Sequence, residues 1–188
     1  FAGAGEGIFW AMQKLLEPGD HAVVVLPTFQ VTESVALAAG AEVSGLALDP
    51  AEGWALDLDR LRKLLRPDTR LLAVNFPNNP TGALADHDTF RAIVELCEER
   101  GIRLFSDEVY RGAEPDPDRT LPQAADLSPT AVSLKRDVEV VRPAGAAHRV
   151  DRLPRPRCAG AAGAPEALHV DLQRGTERTA GRDRAPQP

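Results

Sequence analysis

Three short stretches carry residue types that could do chemistry. In "SDEVY", Asp107 follows Ile102, Leu104 and Phe105. A carboxylate at the end of an apolar strand is costly unless hydrogen-bond donors or a cation meet it. It can serve as a helix N-cap, as half of a structural salt bridge, or as the group that holds a ligand's cation. In "NFPNNPTG", Pro77 and Pro80 stiffen a turn while Asn78 and Asn79 present amide groups. A structural Asx turn and a ligand-facing turn both fit that pattern. In "GAGEG", residues 3–7, glycines lead into a helical pattern, so backbone N–H groups at a helix N-terminus could cradle an anion. A dinucleotide fingerprint would need a preceding strand and a different glycine spacing, and a flexible loop is the plain alternative.

These stretches need elements to position them. Apolar residues at Ile8, Phe9, Met12, Leu15 and Leu16 have helical spacing, and "EPGD" ends that helix. "HAVVVL" reads as a buried strand stopped by Pro27. "FQVTESVALAAG" reads as a helix with Gly40 as C-cap, "AEVSGLAL" as a strand, and "DLDRLRKLLRP" as a helix capped by Asp57 or Asp59. The strand "TRLLAVNF" runs into "PNNPTG"; the helix "DHDTFRAIVELCEERG" and the strand "IRLFSDEVY" follow, and "TAVSL" reads as one more strand. This steady alternation predicts an α/β fold with a mainly parallel sheet flanked by helices. In such sheets ligands collect at the C-terminal ends of strands. "PTF", "PNNPTG" and "DEVY" all fall there.

Composition sets the bounds. The 188 residues carry 22 Lys+Arg and 28 Asp+Glu, a net charge of −6, which leaves no basic footprint for nucleic acid. Cys97 sits in an amphipathic helix and reads as a buried free thiol; Cys97 and Cys158 make no disulfide framework, which fits a reducing cytoplasm. No metal-ligand cluster is expected. No apolar run approaches membrane-spanning length. The first residue is Phe1 rather than Met, so the chain is expected to begin inside a longer protein.

Taken in order and spacing, "GAGEG", "LPTF", "NFPNNPTG" and "SDEVY" resemble the pyridoxal-phosphate aminotransferases of fold type I, class I/II. The resemblance covers residues 1–134 and corresponds to an incomplete large, cofactor-binding domain. It implies pyridoxal 5′-phosphate as cofactor, an amino acid and a 2-oxo acid as substrates, and a homodimer for the intact family. Ala4, Gly5 and Glu6 match the loop whose amides hold the cofactor phosphate. Phe29 matches the aromatic that stacks on the ring. Asn79 and Tyr110 match the donors to its 3′ oxygen, and Asp107 matches the carboxylate paired with the ring nitrogen. A lyase using the same cofactor shares the pattern, because substrate-binding groups outside this stretch set the reaction type.

One family element is missing. The resemblance calls for a lysine about thirty residues past the aspartate, in a segment like S-K-x-Y-G-x-x-G-x-R-x-G. This chain has only Lys14, Lys63 and Lys135, none of them in that setting. No catalytic lysine is therefore assigned in frame, and whether the chain as translated is an enzyme is left open.

Instead, residues 135–188 become rich in Ala, Arg, Gly and Pro. From residue 137 onward there is no aromatic residue and no lysine, with nine arginines against seven acids. Such a tail is expected to lack stable structure. Read one nucleotide later, codons for "DVEVVRPAGAAHRVDRLPRPR" can encode "MSKSYGLPGLRIGWIACRDRA", which contains the missing motif in the right place. The middle bases are free, so this reading is permitted rather than required. The expectation is a frameshifted fragment; the alternatives are a natural arginine-rich tail, a pseudogene product or a non-enzymatic binding module.

Overall fold

The structure, a computed structural model, describes residues 3–136 and 168–172. Its sheet has six strands in the order β2-β1-β3-β4-β5-β6, every neighbouring pair parallel. The strands are β1 (His21–Leu26), β2 (Glu42–Ala47), β3 (Thr69–Asn75), β4 (Arg103–Asp107), β5 (Ala131–Arg136) and β6 (Leu168–Leu172). The helices are α1 (Ala4–Leu15), α2 (Gln30–Ala38), α3 (Leu58–Leu64), α4 (His87–Arg100) and α5 (Ala124–Leu127).

Each expected element forms, with its ends adjusted by local chemistry. Asp57, not Asp59, caps α3, accepting from the amides of Asp59 and Arg60 at 2.8 and 3.1 Å. Asp86 caps α4 through Thr89 N–H at 2.7 Å, and Gly101 ends that helix in the left-handed region at φ 66°. Gly40 likewise follows α2 with φ 86°. The short α5 has no sequence signal beyond its alanines.

The strand order reverses at β1, so the helices must divide between the two faces. α1 and α2 bury Ile8, Met12 and Ala36 against one face, where Val24, Leu71, Phe105 and Leu134 meet them. α3, α4 and α5 cover the other face, with Leu61, Phe90, Ile93 and Ala124 packed on Val23, Leu72, Val74 and Leu104. Side chains alternate strictly along the strands. Hence Leu71 and Ala73 face α1, Leu72 and Val74 face away, and Asn75 falls on the α1 side. Cys97, 1 % exposed within the α4 core, is the buried free thiol expected.

Residues 135–188 were expected to form an unordered tail, and the structure differs in two places. Lys135 and Arg136 complete β5, and residues 168–172 form β6, with Leu134 opposite Val170. In "LHVDL", apolar and polar residues alternate with the period of a strand. Without β6, the edge of β5 would offer unpaired main-chain groups that such a segment can fill. The rest of the tail lies outside the described residues.

Candidate cofactor site

The site forms where several chain segments reach the C-terminal end of the sheet. β1 ends at Leu26, and the segment through Pro27 leads to Phe29, which starts α2. β3 ends at Asn75 and turns through Pro77 and Pro80; the peptide bonds before these and Pro27 are cis. β4 ends at Asp107, directly opposite Asn75 in the parallel register. α1 begins at Ala4, so its N-terminus and the positive end of its dipole lie at the same place.

Together these segments enclose a cavity of about 310 Å³. Ala4, Gly5, Phe29, Asn79, Asp107 and Tyr110 all line it. Glu6, the seventh residue expected there, is not among its lining residues: it sits on the exposed side of α1, and its N–H donates to Gly3 O at 3.2 Å. A helix turn rotates successive residues by about 100°, so only part of the glycine-rich stretch can face one cavity.

Asp107 gives the cavity its electrostatics. It is 2 % exposed, and among the described residues its carboxylate accepts one hydrogen bond, from Val109 N–H at 3.2 Å, and no ion pair. Burial pushes its pKa up to about 7; the Val109 N–H opposes this, and the neighbouring Glu108 charge adds to it. A carboxyl group held this way wants a cation. On the cavity rim, Asn79 Nδ2 donates to the Tyr110 hydroxyl at a long 3.5 Å, and both groups retain capacity for a ligand oxygen. The Phe29 ring is 38 % exposed, which leaves it open to stack on a flat ligand.

Several contributors were not legible as site residues. Asn75, Val109, Arg111 and Ala113 also line the cavity. Asn75 falls inside the strand stretch "TRLLAVNF", and nothing in that stretch marks it as a site residue. Glu108 points to the opposite face of the sheet. There its Oε1 accepts from Ser133 Oγ at 2.7 Å and from Ala124 N–H at 2.9 Å, which ties the end of β4 to β5 and α5.

None of the three lysines lines the cavity. Lys135 comes nearest in register, one residue past Leu134, which pairs with Asp107. Leu134 packs on the α1 face, however, and alternation sends Lys135 to the other side of the sheet. Among the described residues no group of three or more His, Cys, Asp or Glu is placed to hold a metal, and no helix is long and apolar enough to cross a membrane.

The comparisons agree with this geometry. The family model "Aminotransferase class I and II" matches residues 1–141. The chain belongs to the class I and II aminotransferases. It is 34 % identical over 140 residues to the arginine–pyruvate transaminase AruH of Pseudomonas aeruginosa, a match covering 72 % of this chain and 35 % of that protein. It is 38 % identical over 109 residues to the glutamate–pyruvate aminotransferase AlaA of Escherichia coli, covering 57 % and 27 %. Among solved structures, the N-succinyldiaminopimelate aminotransferase of Mycobacterium tuberculosis superposes with a TM-score of 0.67 at 33 % identity, over 72 % of this chain and 36 % of that one. A PLP-dependent aminotransferase from Streptococcus suis gives 0.67 at 32 % identity, over 72 % and 35 %. The chain spans about a third of the length of the relatives it matches.

Pyridoxal 5′-phosphate is the cofactor of this family, and the residues present fit it. The deciding observation is Asp107, a nearly buried carboxyl group without a cationic partner among the described residues, lining a cavity that Ala4 and Gly5 of the α1 N-terminus also line. A ligand with a cationic ring nitrogen at one end and an anion at the other complements both.

Proposed function

We propose that this chain carries the cofactor-holding part of an aminotransferase site and, as translated, performs no amino transfer. The observation that carries this reading is the convergence of Ala4, Gly5, Phe29, Asn79, Asp107 and Tyr110 on one cavity. In it, the first-turn amides of α1 at Ala4 and Gly5 hold the cofactor phosphate. Phe29 covers one ring face, Asn79 and Tyr110 donate to the 3′ oxygen, and Asp107 pairs with the ring nitrogen and keeps it protonated. Glu6 contributes through its place at the helix start rather than by its side chain. When bound, the cofactor supplies the electron sink that amino-group exchange between an amino acid and a 2-oxo acid requires.

The chain's own residues can bind and orient the ring, but none can move the substrate's α-proton at the cavity. Lys135 lies on the far face of the sheet, while Lys14 and Lys63 belong to α1 and α3 away from the cavity lining. The reading includes the tail: residues 137–188 are translated one nucleotide out of the frame that would encode the lysine segment. Sequencing the gene around codons 134–140 tests the frame directly.

The protein experiment is equally direct. The chain is incubated with pyridoxal 5′-phosphate, reduced with borohydride and mapped by peptide mass. The expected result is no preferential pyridoxyl group on Lys135, and no amino transfer from any amino acid to a 2-oxo acid. A pyridoxyl group trapped at Lys135, with turnover, overturns the reading.

A further inference from the structure

Asn75 is the cavity-lining side chain that touches both the strand carrying Asp107 and the turn carrying Asn79. It is 3 % exposed and ends β3. Its Nδ2 donates to the Asp107 carbonyl at 2.9 Å, and its Oδ1 accepts from the Asn79 N–H at 2.7 Å. The first bond adds one rung to the β3–β4 ladder at the point where the main-chain register stops, since Asn75 and Asp107 are its final pair. The second closes the turn that follows β3. We propose that Asn75 is a positioning residue that fixes the spacing between Asp107 and Asn79, the two polar groups expected to read opposite parts of the cofactor ring.

The chemistry explains why this side chain suits the task. One planar amide offers a donor and an acceptor at once, about 2.2 Å apart, a pairing that no carboxylate or hydroxyl reproduces in fixed orientation. Asp at this position keeps the bond to Asn79 but turns an acceptor toward the Asp107 carbonyl and brings a second carboxyl group beside the first. Leu keeps the volume and leaves both main-chain groups without partners in a nearly closed site. Gln carries the right groups on a longer stem and misplaces them. The proposal rests on the cofactor reading for its consequence, though not for its geometry.

The test separates the two. In the ligand-free full chain, amide hydrogen exchange is compared between wild type and Asn75→Ala. The expected result is that the Asn79 amide loses protection by about tenfold or more, while strand amides at Leu72 and Phe105 keep theirs within about twofold. Unchanged protection at Asn79 overturns the proposal, whatever the ligand result. An equal loss at all three amides also overturns it, because Asn75 would then support the fold in general.

The second arm uses pyridoxamine 5′-phosphate, which has no aldehyde and so cannot attach to any lysine, with inorganic phosphate as the control. Asn75→Ala is expected to weaken pyridoxamine phosphate about tenfold while leaving inorganic phosphate within about twofold. In a double-mutant cycle, Asn79→Ala should then weaken binding far less in the Asn75→Ala background than in wild type. Additive losses overturn the coupling. If wild type binds neither probe, the cofactor reading fails, and the exchange arm alone decides whether Asn75 holds Asn79.

Discussion

Asp107 is buried with one backbone donor and no cationic partner among the described residues, so the protein stabilises its neutral form. Its folded pKa of about 7 lies above the ordinary carboxylate value of 3.8. The unfolded chain therefore gives up its proton first as pH rises. The associated stability is complete below about pH 4 and is lost as pH climbs through 7. The loss is on the order of a few kcal/mol, large against the marginal stability of an ordinary domain. Asp107→Asn should remove that slope, so the variant should be more resistant to urea than wild type at pH 8 and nearly equal to it at pH 4. Equal urea midpoints at pH 8 would show that the carboxyl group is not strained by burial. The same substitution should weaken pyridoxamine phosphate binding, because an amide cannot neutralise a ring cation.

Elements were easier to read than contacts. The stretch "DHDTFRAIVELCEERG" reads as a helix and "HAVVVL" as a strand from local pattern alone, and the structure adds the caps of α4 at Asp86 and Gly101. β6 was missed because "LHVDL" sits among arginines and prolines, and its pairing depends on the open edge of β5 far away in sequence. Asn75 was missed for a related reason. Its role depends on which face of β3 it occupies and on what β4 places opposite, and neither is visible in "AVNFP". Asn79, Asp107 and Phe29 were singled out by the resemblance of "NFPNNPTG", "SDEVY" and "LPTF" to the family's motifs, and all three line the one cavity. Glu6 was expected to contribute a main-chain amide, and the structure places it in the first turn of α1 with its side chain on the exposed side.

The N-terminal end of the sheet has its own linkage. His21 starts β1, buried to 1 % exposure, with Nδ1 at 2.7 Å from Thr69 Oγ1 on β3 and Nε2 at 2.9 Å from Ser44 Oγ on β2. One imidazole thus joins three strands. Burial of the ring and the nearby Arg66 charge lower its pKa, against smaller opposing effects of Asp68 and Glu42. The folded chain therefore takes up a proton on His21 less readily than the unfolded chain, whose ordinary value is 6.5. Stability from this group is therefore present above that value and falls as pH drops further. His21→Gln should cost about 1–2 kcal/mol at pH 8 yet flatten the decline below pH 6.5. Parallel pH profiles for the two proteins would exclude His21 as the source.

At the scale of the whole chain, two apolar layers close over one parallel sheet, although the sequence matches only about a third of its relatives' length. The α4 layer contains a sensor of its own closure. Burial pushes the Cys97 thiol up to about 12, with the Glu98 charge a smaller contribution, so almost none of it is thiolate at pH 8 while the core is shut. Alkylation by iodoacetamide then becomes a stopwatch for core opening. In a Cys158→Ser chain, which leaves a single thiol, labelling should be slow in buffer and should accelerate with urea in step with loss of helical signal. Fast labelling without urea would mean that this chain holds its fold only in fleeting form. A slow clock would mean that the sheet and its helices hold together in solution in a chain that spans only about a third of its relatives' length.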